Sequence, residues 1–71
     1  MNGNELKAAI TSRGFKINEF ITILAKQGVL ISRAAFYRKM KGISEFNRRE
    51  IAIIRKTLEL KDCELIEIFF W

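Results

Sequence analysis

The chain has 71 residues, no histidine, no proline and one cysteine, and its formal net charge is +5. This length predicts one small domain over residues 1–71, and a hydrophobic content of 49% is enough for a single core. The lone Cys63 excludes an intramolecular disulfide, and without histidine a structural zinc site lacks ligands. Since proline is absent and glycine is sparse, we expect an all-α fold. We also expect no metal and no cofactor.

The basic residues are concentrated in one part of the chain. Residues 33–49 carry six basic side chains against one acidic side chain, while residues 59–71 carry four acidic against one basic. A localised basic segment attracts polyanions, chiefly nucleic acid or an anionic membrane. The alternative is an ordinary solvated charged face. No stretch approaches the ~20 apolar residues that span a bilayer, and no signal-peptide pattern opens the chain, so we expect a cytoplasmic protein.

The first two helices are predicted at about residues 4–13 and 17–27. Asn2 or Asn4 supplies the cap of the first, whose apolar positions recur at helical spacing, and Gly14 provides its stop. The second carries an apolar stripe with the i, i+3, i+4, i+7 spacing of an amphipathic helix. The stripe consists of Ile17, Phe20, Ile21 and Leu24. The apolar run 29–31 is expected to fill the space before the third helix.

The third helix is predicted at about residues 33–41, between a Ser32 cap and a Gly42 stop. Its 3.6-residue period separates two faces. The outward face carries Arg33, Ala34, Tyr37, Arg38 and Lys41, and the inward face carries Ala35, Phe36 and Met40. A helix with an apolar back and a basic, aromatic front is suited to lie in a DNA groove while it packs on a core.

The last two helices are predicted at about residues 48–58 and 62–69. Asn47 followed by Glu50 has the capping-box spacing, which marks the start of the fourth helix. Its buried stripe is expected to contain Ile51, Ile54 and Leu58, with Ile53 beside them. In the last helix Leu65, Ile66 and Phe69 are expected to face inward, with Phe70 as a further candidate.

These residues resemble the Cro/C1-type helix-turn-helix regulators of phages and bacteria, which have the lambda-repressor-like fold. The matching sequence motifs are Ser32-Arg33-x-x-Phe36-Tyr37-Arg38-Lys39, then Gly42, Glu45-Phe46, Glu50-Ile51 and the terminal Ile68-Phe69-Phe70. The order and spacing are most similar to small phage-encoded regulators of Gram-positive hosts. The chain differs from the family in its connection from Leu24 to Ser32, which is longer by roughly one helical turn.

The resemblance implies a compact five-helix domain that binds double-stranded DNA and regulates transcription, with the third helix in the major groove. It would be associated with the nucleoid when bound to DNA. The implied base contacts are Arg33, Ala34, Tyr37 and Arg38. The implied phosphate contacts are Lys16, Asn18, Ser32, Lys39, Lys41, Ser44 and Arg48. An alternative interpretation, equally well supported, is that Tyr37 is an aromatic residue at the rim of the core and not a DNA contact.

A second hypothesis is a protein-binding modulator or antirepressor with a helix-turn-helix-like fold, which would bind a partner repressor instead of DNA. The long turn and the aromatic end of the chain motivate it, with Phe70 and Trp71 as candidate interface residues. Homodimerisation through the same end is its milder form. Binding at a membrane surface is disfavoured because the most aromatic segment is acidic. We do not expect an enzyme, since Glu64 and Glu67 have no accompanying histidine, metal cluster or nucleophile.

Overall fold

The polypeptide forms five helices joined by short connections. The computed structural model describes residues 2–70. The helices are α1 (Gly3–Ser12), α2 (Ile17–Lys26), α3 (Arg33–Met40), α4 (Arg48–Leu58) and α5 (Asp62–Phe69). The expected all-α, five-helix architecture is confirmed, and each helix ends within one residue of its predicted bounds. No helix within residues 2–70 has the length and apolar character needed to cross a membrane.

Polar side chains fix where the helices begin. The Asn2 Oδ1 atom accepts the Glu5 N–H at 3.2 Å, so Asn2 caps α1. The Ser32 Oγ atom accepts the Ala35 N–H at 3.1 Å at the start of α3. Each oxygen satisfies a backbone donor that has no partner within its own helix, which is why the sequence predicts these starts closely.

Left-handed residues follow the first four helices. Gly42 has φ +83° just after α3, as expected of a residue without a Cβ atom. The Ile43 N–H then donates to the Arg38 carbonyl at 3.0 Å, which closes the last turn. After α4 the left-handed position is occupied by Glu59, with φ 53°, although no glycine marks this end in the sequence.

Twelve buried hydrophobic side chains form the core, and every helix contributes to it. They are Leu6, Ile10, Phe20, Leu24, Val29, Phe36, Met40, Phe46, Ile54, Leu58, Leu60 and Ile68. Within residues 2–70 the buried set contains no polar or charged residue. Burial of this apolar surface is therefore the main force that assembles the helices.

A row of aromatic rings crosses the interior. Phe15, Phe20, Phe36, Phe46 and Phe69 follow one another with centroid separations of 6.0, 6.1, 5.6 and 5.8 Å. Most of these neighbours meet edge to face, the arrangement that aromatic quadrupoles prefer. The row runs from the α1–α2 connection to α5, with Phe36 of α3 in its middle.

Only part of the apolar run 29–31, which connects α2 to α3, is buried between the helices as expected. The Val29 N–H donates to the Leu24 carbonyl at 2.9 Å, and Val29 is buried, while Ile31 is half-buried. Leu30 is 86% exposed, so the expectation that the whole run 29–31 is inward is wrong at this residue. The segment is not helical here, and successive side chains of an extended chain point to opposite sides.

The inward face of α5 also differs from the prediction. Ile68 is buried, and Leu65 and Phe69 are half-buried against the core, but Ile66 is 56% exposed and Phe70 is 65% exposed. The expected inward positions of Ile66 and Phe70 are therefore wrong. Because residues 65, 66, 68, 69 and 70 are all apolar, helical periodicity fits two different faces.

Candidate nucleic-acid interface

The third helix separates an apolar back from a basic front. Phe36 and Met40 are buried, and the Phe36 ring packs between Phe20 and Phe46. The other face of α3 is in solvent. Its exposed residues are Arg33, Ala34 and Arg38, and Lys41 is exposed directly after the helix. This division follows from the helical period, because positions 36 and 40 lie one above the other on one side.

The cations of this face are free of acidic partners in the described part of the chain. Within residues 2–70, ion pairs form at Arg13, Lys39 and Arg55, and none forms at Arg33, Arg38 or Lys41. The exposed face of α3 therefore presents positive charge that a polyanion can approach. The small side chain of Ala34 leaves room for close approach beside these cations.

Tyr37 lies at the border between the two faces. Its side chain is half-buried and packs against the core. The Arg33 guanidinium carbon lies 5.6 Å from the Tyr37 ring centroid, within the range of a cation–π contact. Tyr37 therefore lies at the rim of the core, as the second interpretation expects, and its ring contacts Arg33. Its role as a base contact stays a prediction.

Ser32 holds the first turn of α3 in two ways. Its side chain accepts the Ala35 N–H, and its carbonyl accepts the Phe36 N–H at 2.9 Å. The hydroxyl proton is still free to donate, and the positive end of the helix dipole lies at this terminus. Ser32 is exposed, so this end of α3 has the chemistry of a phosphate contact.

The remaining predicted phosphate contacts lie outside α3. Lys16 and Asn18 are exposed at the start of α2, where the Lys16 backbone N–H donates to the Glu19 carboxylate at 2.9 Å. Ser44 and Arg48 are exposed in the α3–α4 connection and at the start of α4. The structure thus places these four predicted residues in solvent, in two groups that belong to different elements.

Lys39 is the predicted phosphate contact whose position differs from the others. Its Nζ atom lies 2.8 Å from both carboxylate oxygens of Glu50, and its side chain is only 19% exposed. The helical period turns position 39 away from Arg38 and toward α4. Within residues 2–70 the Lys39 ammonium is therefore already paired, unlike the other predicted phosphate contacts with a charged side chain.

One group of residues beside α3 was not predicted from the sequence. Asn2, Asn4 and Lys7 line a cleft with Tyr37 and Lys41, where α1 lies against the end of α3. The cleft adds a basic side chain, Lys7, to the exposed surface next to the predicted base contacts. Residues 4 and 7 share a face of α1 by their spacing, but the sequence does not show which element that face meets.

A second exposed surface, which is apolar, lies at the end of α5. Ile66 of α5 and Phe70, which directly follows this helix, are both exposed. Phe70 also borders a groove lined by Phe46, Ile51 and Phe69. The other candidate interface residue, Trp71, lies outside the residues that the structure describes. This end of the chain therefore offers an apolar surface, separate in chemistry from the basic face of α3.

Comparisons with protein-family models, with curated proteins and with solved structures return no match for this chain.

Proposed function

We propose that this chain is a sequence-specific, double-stranded DNA-binding transcriptional regulator of the Cro/C1-type helix-turn-helix family. The observation that carries the proposal is the orientation of α3. Phe36 and Met40 anchor its back in the core, while Arg33 and Arg38 are exposed and have no acidic partner within residues 2–70. A rigid helix with free arginines on its outer face supports insertion into a major groove.

In the proposed complex, α3 enters the major groove with its N-terminal end first, and α2 crosses the DNA backbone. Arg33 and Arg38 read base edges, since a guanidinium can bond bidentately to guanine O6 and N7. Ala34 packs on a thymine methyl group. Tyr37 contacts the groove wall from the border of the core and keeps Arg33 extended by stacking.

Phosphate contacts hold the helix in register in this proposal. They come from exposed residues at the starts of α2 and α4, at both ends of α3 and in the α3–α4 connection. The set is Lys16, Asn18, Ser32, Lys41, Ser44 and Arg48, with Lys7 as an addition from the cleft beside Tyr37. Such contacts supply affinity and salt dependence but carry no sequence information directly. The base-reading residues and the phosphate-binding residues are therefore separable by mutation.

The test is selection of duplexes from a random-sequence pool, followed by binding measurements against salt concentration. We expect the selected sequences to converge and to bind on the order of 10³-fold or more tighter than random duplex. The affinity should fall linearly with salt on a double logarithmic plot. A pool that does not converge, with weak binding to duplex at every salt concentration, would overturn the proposal.

The exposed apolar end of α5 favours a second candidate function, binding to a partner protein such as a repressor. Ile66 and Phe70 expose more than half of their surface although both are large and apolar. Exposed apolar clusters of this kind are typical of protein interfaces. If this candidate is right and the first is wrong, the protein binds duplex weakly at all salt concentrations. A homodimer formed through this end is compatible with DNA binding, and sedimentation of the free protein against concentration would detect it.

A further inference from the structure

The side chains of Lys39 and Glu50 connect α3 to α4 through an ion pair largely removed from solvent. The Lys39 Nζ atom lies 2.8 Å from each Glu50 carboxylate oxygen, and the two side chains are 19% and 12% exposed. The Glu50 Oε1 atom also accepts the Asn47 N–H at 2.8 Å, and the Asn47 side chain accepts the Glu50 N–H at 2.8 Å. The carboxylate is therefore fixed by the helix cap before it meets the lysine.

The aromatic row holds the lysine on the same side. The Lys39 ammonium lies 5.8 Å from the centroid of the buried Phe46 ring, which packs against Phe36 at 5.6 Å. The neighbouring cations Arg38 and Lys41 are exposed and unpaired within residues 2–70. Of these three basic side chains, Lys39 is the one held toward the protein and away from the outer face of α3.

This arrangement matters because cations that neutralise phosphates act on every DNA sequence alike. Each neutralised phosphate of B-DNA contributes about 0.9 to the slope of log affinity against log salt. A cation withheld from the phosphates therefore lowers the affinity for every duplex without removing a base contact.

We propose that Glu50 is a positioning residue that withholds the Lys39 ammonium from DNA phosphates and so limits the sequence-independent affinity for duplex. The inference rests on the proposed DNA-binding function and adds a role for a residue that does not touch the duplex. In this proposal the chain uses one cation fewer on DNA than its basic segment offers. Glu50 acts through Lys39, and its cap with Asn47 is what keeps the carboxylate in place.

The test compares four variants for binding to random-sequence duplex over a range of salt concentrations. Glu50→Gln removes the charge, while glutamine at this position can still make the capping box. Glu45→Gln is the matched control, because it neutralises an exposed acid of the nearby α3–α4 connection that has no ion pair within residues 2–70. Lys39→Met keeps most of the apolar stem and removes the ammonium. The double variant Lys39→Met with Glu50→Gln completes the cycle.

We expect Glu50→Gln to steepen the salt slope by about 0.9 relative to Glu45→Gln. Adding Lys39→Met should abolish that increase, and Lys39→Met alone should leave the wild-type slope unchanged. The affinities for selected and for random duplex should rise to a similar extent in Glu50→Gln, because a phosphate contact acts on every sequence alike. Equal slopes for Glu50→Gln and Glu45→Gln, or a slope lowered by about 0.9 in Lys39→Met alone, would overturn the proposal.

Two further measurements distinguish failure of this inference from misfolding of a variant and from failure of the proposed DNA-binding function. If Glu50→Gln does not fold, the salt slopes of Lys39→Met and Lys41→Met are compared. Only substitution of the exposed Lys41 should lower the slope. If wild-type protein does not bind duplex, the DNA-binding proposal fails, and retention on heparin still tests the pairing. There, Glu50→Gln should elute at higher salt than Glu45→Gln, and identical elution would refute the withholding of Lys39.

Discussion

Gly3 in the first turn of α1 lies directly against the Met40 carbonyl at the end of α3. A Cβ atom at Gly3 would overlap the Met40 carbonyl oxygen and lie 3.0 Å from its carbon. The neighbouring Asn2 N–H donates to the Ile68 carbonyl at 2.7 Å, so this end of α1 is also tied to α5. The glycine therefore allows α1 to support α3 through a close contact between backbones.

Gly3→Ala tests this contact. In an open helix the substitution would stabilise by about 1 kcal/mol through helix propensity. Here the added methyl group meets a backbone atom that cannot rotate away, so we expect a net loss of about 1–3 kcal/mol in unfolding free energy. Urea denaturation measures it, with Asn4→Ala as the control on the same turn. A more stable Gly3→Ala protein would show that α1 does not approach α3 this closely.

Phe36→Ala should unfold most of the protein. Phe36 is fully buried between Phe20 and Phe46, and removal of such a ring leaves a cavity that costs about 3–5 kcal/mol. That loss is comparable to the total stability of a small domain. Circular dichroism with thermal melting checks the result, and a cooperative melt near the wild-type temperature would disprove the inward orientation of α3.

Arg38→Ala should weaken binding to the selected duplex by about 1–3 kcal/mol and relax sequence preference at one position. The melting temperature should change little, because the Arg38 side chain is exposed and unpaired within residues 2–70. Lys56→Ala is the control, since it removes an exposed cation from the last turn of α4. Equal affinities of the two variants for the selected duplex would remove Arg38 from the base contacts.

Arg48→Ala should weaken selected and random duplexes to a similar extent. Arg48 is exposed at the start of α4, where the proposal assigns it to a phosphate. Loss of one phosphate contact lowers the salt slope by about 0.9 without changing the preferred sequence. Titrations at several salt concentrations measure the slope, and a change in the selected sequence would instead make Arg48 a base contact.

Ile68→Ala and Ile66→Ala form a matched pair on α5. Burial of Ile68 predicts a loss of about 2–5 kcal/mol on truncation, whereas truncation of the exposed Ile66 should change stability by no more than about 0.5 kcal/mol. Chemical denaturation of both variants gives the two values. If Ile66→Ala proves the more damaging one, the orientation of α5 is wrong, and the proposed partner surface is wrong with it.

The sequence by itself determined the helices and the two faces of α3. Their starts depend on local capping chemistry, as at Ser32, and the ends of the first four depend on a left-handed residue such as Gly42, so neighbours in the chain suffice to place them. The division between Phe36 and Arg38 also follows from the local helical period, because α3 mixes apolar and charged residues. Where α5 is apolar nearly throughout, the same period left its inward face undetermined.

Only the tertiary structure decided which side chains from different elements meet. The pairing of Lys39 with Glu50, the approach of Gly3 to Met40 and the cleft that joins Lys7 to Tyr37 all depend on how the helices cross. Local propensity does not encode those crossings, because they follow from the simultaneous packing of the whole core. Two lysines on one basic helix can therefore look alike in the sequence while one faces solvent and the other is bound to a carboxylate.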